Sequence, residues 1–243
     1  DFHHPRTMDP AMRRRLEEAC DSGGVSLYAT GSSPGFATEA LVIPLLSLSR
    51  RLERVTIDEY ADLSSRNSPD MLFNVMGFGA PPGPVDPRRV EHVKHSFSTS
   101  LGQIADAVGA PFESIRAFGE VSAARKRTEI AAGIVEKGTA AAYRLTVEGL
   151  RGGAPMFRFR ANWYCTRDIE NADWELRGSG WRILVESETP LDVGISFPVA
   201  PENYAAFTPG LTAHRAVNAV PAVCAAPPGL RTTVDLPQVI ARF

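Results

Sequence analysis

The run Gly24-Val-Ser-Leu-Tyr-Ala-Thr-Gly-Ser-Ser-Pro-Gly-Phe36 decides how the rest of the chain is read. Residues 24–30 are short and largely apolar, as a strand is, and Gly31 breaks them. Ser33 stands where a serine caps a helix, and Pro34 where a first helical residue accepts proline. A helical pattern then runs to about Arg51, with a kink expected at Pro44. A strand that ends in a glycine turn at a capped helix is the usual ligand-binding edge of an open α/β sheet. The residues alone leave two readings open: such an edge, or an ordinary strand-to-helix turn.

Working outward, Asp9-Pro10 opens a short helix through Cys20, with Asp9 as its cap. Arg54 to Tyr60 alternates as a strand. Residues 62–85 read as a long loop, and a loop of that length in a compact domain is usually functional or mobile. Asp86-Pro87 starts the clearest helix. Val90, Val93, Phe97, Leu101, Ile104 and Val108 recur at helical spacing until Gly109 ends it. Five strands follow, over 114–124, 140–150, 156–166, 181–187 and 191–197. Arg151-Gly-Gly-Ala154 is a hairpin signal that sets Glu148 opposite Arg158. Phe157, Phe159, Ala161 and Trp163 alternate with Arg158, Arg160 and Asn162, so one face of that strand is buried and the other wet. Thr208-Pro209 is the expected start of a last helix to about Cys224, followed by a short tail. The expected class is α/β (α+β): an open mixed sheet with helices on one face.

Composition narrows the function classes. The net charge of -2 makes no electrostatic case for nucleic acid. No apolar run approaches the ~20 residues of a membrane span, and residues 1 to 20 lack a signal-peptide core. Cys20, Cys165 and Cys224 show no paired spacing and suit reduced thiols in a cytoplasmic protein.

The stretch at Gly31–Phe36 resembles the G-x-N-P-G-F signature of a nicotinamide-dependent family. That family includes 2,4-diaminopentanoate dehydrogenases and native amine dehydrogenases, and is distantly related to dihydrodipicolinate reductase. Three further blocks are similar to it: Glu59-Tyr-Ala-Asp-Leu-Ser64, Ser68-Pro69 running on to Met76-Gly-Phe-Gly79, and Pro209 to Pro221 with Pro228 to Pro237. The resemblance implies an oxidoreductase that interconverts a ketone or imine and an amine, with NADPH or NADH as cofactor. It implies a Rossmann domain ahead of the signature. No G-x-G-x-x-G occurs in these 243 residues, so the expected arrangement is the C-terminal part of a longer protein. Residues 1–31 would be the remnant of the dinucleotide-binding domain. Residues 32–208 would form a substrate and dimerisation domain, and 209–243 a helix and tail returning to the Rossmann side. On that division the chain by itself is expected to be inactive.

The resemblance also implies site residues. Thr30, Gly31, Ser32, Ser33, Pro34 and Gly35 would lie beside the nicotinamide, with Asn218 either contacting its amide or tethering the turn. Phe36, Thr38, Phe73, Met76 and Phe78 would wall the substrate pocket, with plain core as the alternative for Phe73, Met76 and Phe78. Ser33 departs from the family's asparagine; serine cannot offer an amide's paired donor and acceptor. No histidine or lysine cluster follows the strand at 54–60, which argues against the reductase branch. Glu59 and Asp62 are the candidate catalytic carboxylates, with strand-end ion pairs or caps as the plainer alternative. His3-His4 is expected to be disordered or at the surface, and no metal site is expected. The expected partners are a small-molecule substrate and a second copy of the chain, joined through the sheet, with neither nucleic acid nor membrane. Two other functions stay open: a non-catalytic nucleotide- or metabolite-binding relative, and a sheet-mediated oligomerisation domain.

Overall fold

Alternation and helical period act locally, and the elements they specify form. In the computed structural model, which describes residues 2–241, Asp9 accepts a hydrogen bond from the Met12 amide at 2.9 Å and opens α1 (Pro10–Gly23). After β1 (Ser26–Tyr28) and α2 (Leu41–Leu46) comes the long strand β2 (Leu52–Asp62). Asp86 caps α3 (Pro87–Ala107) by accepting from the Arg88 amide at 2.9 Å. The strands β3 (Ser114–Ala123), β4 (Thr128–Ile130), β5 (Gly133–Val135), β6 (Ala140–Arg151), β7 (Ala154–Tyr164), β8 (Gly180–Ser187) and β9 (Leu191–Ser196) lead to α4 (Pro201–Ala225) and β10 (Gly229–Arg231).

Six strands form one open mixed sheet in the order β3-β6-β7-β2-β8-β9. The β6–β7 hairpin turns on Gly152 and Gly153, both at positive φ, and brings Glu148 opposite Arg158, as the turn predicted. β2 lies parallel to β7 and antiparallel to β8, so residues about a hundred positions apart form the middle of the sheet. α3 covers one face. Its Val93, Phe97, Leu101 and Ile104 pack on Leu145, Val147, Phe157 and Phe159, and the Phe97 ring stacks on Phe159 with centroids 3.5 Å apart. Val90, expected in the same stripe, is only partly buried.

The opposite face carries ion pairs in rows. Arg158 and Arg116 both donate to the buried Glu148 at 2.6 Å, and Arg160 Nη2 donates to the buried Asp58 at 2.6 Å. Arg144 lies over the Trp174 ring, at 4.6 Å from its centroid, and donates to Asn162 at 2.7 Å. These arginines close on partners within the chain, which is why the carboxylates opposite them tolerate burial.

Several expectations need correction. The strand expected over 24–30 shortens to β1, which pairs in parallel with β10, some two hundred residues away, so the expected short tail contains a strand. Ser33 caps no helix and Pro34 begins none. Both are extended, joined by a cis peptide, and Gly35 follows at φ +125°. Helical winding starts at Phe36, whose amide donates to the Gly31 carbonyl at 2.8 Å, and stops at Leu46 rather than Arg51. The loop at 62–85 contains a helical turn, Asp70–Val75. α4 begins at Pro201, with Pro209 inside it, so a helix tolerates the lost amide there. His3 and His4 are both tied to carboxylates, with His4 buried and His3 partly so. His4 is buried with Nε2 3.0 Å from Asp106, and His3 Nδ1 lies 2.8 Å from the buried Glu39.

Candidate active site

The turn that follows β1 is held from behind by a buried carboxylate. The Gly35 amide donates to Thr38 Oγ1 at 2.8 Å, and Thr38 and Ser100 both donate their hydroxyls to Glu39. Burial alone would raise the Glu39 pKa. The hydrogen bond and charge of His3, with the Ser100 and Thr38 hydroxyls, outweigh it and hold the carboxyl below its ordinary value. Gly35 leaves no room for a side chain: a Cβ there would sit 3.1 Å from Thr30 Oγ1 and 3.3 Å from the Thr30 carbonyl carbon. The turn is also tied to α4, since Ser32 Oγ lies 2.8 Å from Thr212 Oγ1. That bond tethers the turn, a role for which Asn218 was one candidate; Asn218 lines a recess with Arg215 and Phe36 that shares Ser32, Trp181, Phe197 and Leu211 with the cavity in front of the turn.

In front of the turn lies a cavity of about 750 Å³. Ser32 and Ser33 form one wall. The end of β2, from Glu59 to Asp62, forms another with Leu63 just beyond it, and Trp181, Phe197, Tyr204 and Pro209 close the side toward α4. The structure therefore brings Ser32, Ser33, Glu59 and Asp62 to one space. Glu59 is framed by two indoles: Trp181 Nε1 donates at 3.3 Å and Trp163 Nε1 lies at 3.5 Å. Asp62 is engaged otherwise. It accepts from the Ser64 hydroxyl at 2.6 Å and the Ser64 amide at 3.1 Å, with an Arg167 nitrogen at 3.7 Å. Two hydroxyls at the turn, Ser33 Oγ and Thr30 Oγ1, are buried without a partner. Unpaired buried hydroxyls carry a desolvation cost that a ligand with matching polar groups removes.

Other predicted site residues lie elsewhere. Phe36 meets the edge of Trp181, with centroids 6.2 Å apart, and lines the Asn218 recess. Thr38 is wholly buried and supports the turn. Phe73, Met76 and Phe78 do not wall the cavity at Ser33. Phe78 is buried against Tyr143, Phe73 packs near Gly79 and Gly133, and Met76 lines a different cavity at the start of α3. The reason is the second core cluster under the 70s turn, in which Phe78 is buried and against which Phe73 and Met76 pack. Trp181, Tyr204 and Thr212 were not picked out from the sequence. Tyr204 had no helical signal because the proline at 209 masked the first turns of α4, and nothing local marks Trp181. Among the described residues, no group of three or more histidine, cysteine or carboxylate side chains is arranged to hold a metal ion. Cys20, Cys165 and Cys224 are free, and burial pushes the Cys165 thiol up to about 12. No described helix is long and apolar enough to cross a membrane.

The chain is thus an open six-stranded mixed sheet with a glycine turn, a cavity beside the end of β2 and a long C-terminal helix. The 2,4-diaminopentanoate dehydrogenase C-terminal domain matches residues 36–242, and the chain belongs to that family, a family of oxidoreductases. It is similar to an amine dehydrogenase of Streptomyces virginiae, 26% identical over 243 residues and 96% of this chain. Its fold is similar to the structure of amine dehydrogenase from Mycobacterium smegmatis, with a TM-score of 0.67 at 18% identity over 99% of this chain. The chain spans 66% of the length of the first relative and 67% of the second.

Proposed function

We propose that residues 1–243 are the substrate-shaping part of a nicotinamide-dependent amine dehydrogenase, which interconverts a small ketone or imine and an amine. The observation that carries this is the unpartnered buried hydroxyl of Ser33, in the wall of a cavity that also holds Glu59. The family supports a nicotinamide cofactor, NADH or NADPH, which when bound supplies the hydride. The donor set fits one polar end of such a group: the Ser32 and Ser33 hydroxyls in the cavity wall, each able to donate or accept. Glu59 balances the positive charge of an amine and is kept from swinging by Trp163 and Trp181. Trp181, Phe197 and Tyr204 exclude water from the reacting end. Residues 1–31 and 209–243, joined by β1 and β10, form the side that meets the dinucleotide-binding domain, and 32–208 the substrate side.

The test is cofactor oxidation with ammonia and a panel of small ketones, using the chain together with its upstream coding sequence. Turnover that falls with Glu59→Gln supports the reading; no cofactor oxidation with any carbonyl overturns it. Ser33, in place of the family's asparagine, favours a second reading in which the protein binds a nucleotide or metabolite without turnover; tight binding with no oxidation would select it. We also propose that two copies pair through the mixed sheet, and that the three free thiols reside in the reducing cytoplasm. A monomer by light scattering at micromolar concentration would remove the pairing.

A further inference from the structure

A second cavity, of about 480 Å³, opens on the same side of the sheet as α3 and is separated from the Glu59 cavity by Trp163. The indole of Trp163 lines it on one side and points its Nε1 at Glu59 on the other. Val75, Met76, Val85 and Leu145 make its apolar wall. Its ionisable residues are Asp86, Arg88, Arg89 and His92. Asp86 and Arg88 close on each other, with Arg88 Nη2 2.8 Å from Asp86 Oδ2. Arg89 is different. Among the described residues it forms no ion pair, and its guanidinium lies 5.6 Å from the centre of the Tyr143 ring.

Arg89 is also held in a prepared seat. Gly77 stands at φ +77°, and a Cβ there would fall 2.8 Å and 2.9 Å from the two terminal nitrogens of Arg89. Tyr143 fixes the seat from the other side by donating its hydroxyl to the Gly77 carbonyl at 2.8 Å. A guanidinium so confined loses little freedom when it binds an anion, and its planar fork matches a carboxylate.

We propose that this cavity is a carboxylate-binding subsite, with Arg89 taking the carboxylate and Val75, Met76, Leu145 and Trp163 taking a short apolar stem. A monoanion fits better than a phosphate dianion, because Asp86 stands on the same wall and repels the second charge. The carboxylate has two sources. It is the far end of a substrate whose reacting carbon lies beyond Trp163, a version that rests on the amine dehydrogenase reading, or it is a free carboxylate sensed through Trp163 and Glu59.

Calorimetry with hexanoate on this chain tests the subsite, with hexan-1-ol as the uncharged probe. Expected is saturable binding of hexanoate, about tenfold tighter than hexan-1-ol, and a loss of about tenfold in Arg89→Gln. Arg89→Lys keeps the charge without the fork and should lie between. Arg116→Gln, on the opposite sheet face, should bind as the unaltered chain does. Melting temperatures of the variants equal to the parent's establish that they are folded. No saturable hexanoate binding, or equal binding by Arg89→Gln, overturns the proposal. Turnover then separates the sources, in the protein carrying its upstream sequence. If Arg89→Gln lowers kcat/KM for 5-oxohexanoate but not for 2-hexanone, the carboxylate belongs to the substrate. If hexanoate binding is lost and both kcat/KM values hold, it is a free carboxylate; either result supports the subsite. Failure to turn over either carbonyl overturns the amine dehydrogenase reading and leaves the hexanoate arm to decide the subsite by itself.

Discussion

Phe97→Ala removes the ring that locks α3 onto the sheet. Phe97 is only 6% exposed, and its ring lies nearly flat on Phe159, with an interplanar angle of 12°. Deleting a buried phenylalanine to alanine costs about 3–5 kcal/mol, from lost transfer energy and the cavity left behind. The stacked partner places the expected loss in the upper half of that range, because an aromatic pair adds roughly 0.5–1.5 kcal/mol beyond its area. The cavity cannot collapse easily: Leu101 and Ile104 on one side and Val147 and Phe157 on the other are themselves buried in sheet and helix. The matched control is Phe118→Ala, a phenylalanine of the same sheet that is 40% exposed on the other face, with an expected cost under about 1 kcal/mol. Urea titration followed by far-UV circular dichroism reads both. In a chain of this size ~4 kcal/mol lowers the melting temperature by roughly 8–16 °C. A Phe97→Ala loss below about 1 kcal/mol, or one equal to that of Phe118→Ala, would show that α3 does not pack on the sheet through this stripe.

Gly35→Val should abolish turnover in the protein with its upstream sequence while leaving the sheet intact, because valine at φ +125° meets Thr30 at the turn; normal kcat/KM would make the turn dispensable. Glu39 has its folded pKa below the ordinary 4.5, so its contribution to stability is in place above that value and disappears as pH falls through the lowered one. The stability gap between the parent chain and Glu39→Gln should therefore be level from pH 6 down to about 5 and shrink below about 4; a gap that widens in acid would contradict the sign. Calorimetry of residues 1–243 with NADH or NADPH should show no binding at ordinary concentrations, since they contain no glycine-rich phosphate turn between a strand and a helix. A micromolar dissociation constant would mean that other residues take the pyrophosphate.

What the sequence by itself determined is whatever depends on neighbours a few residues away. The α3 stripe is legible because apolar side chains three and four apart share a helix face, and Asp86 marks its start with a local cap. The β6–β7 hairpin and the Glu148–Arg158 pair are legible because two glycines set a turn and a turn sets a register. The signature at Gly31–Phe36 marked the turn that borders the cavity, since glycine and proline restrict or free the backbone whatever surrounds them. The tertiary structure alone decided the rest. The parallel pairing of β2 with β7, and of β1 with β10, joins segments about a hundred and two hundred residues apart, and no local pattern encodes which distant strand will be the partner. The same holds for Glu59 meeting Trp163 and Trp181 from two other strands, and for His3 reaching across to Glu39. Phe73 and Phe78 read from the sequence as pocket wall or as core, and Phe78 became core against Tyr143 with Phe73 partly buried beside that core, because burial is settled by which surfaces meet and an apolar side chain carries no mark of which cavity it will fill.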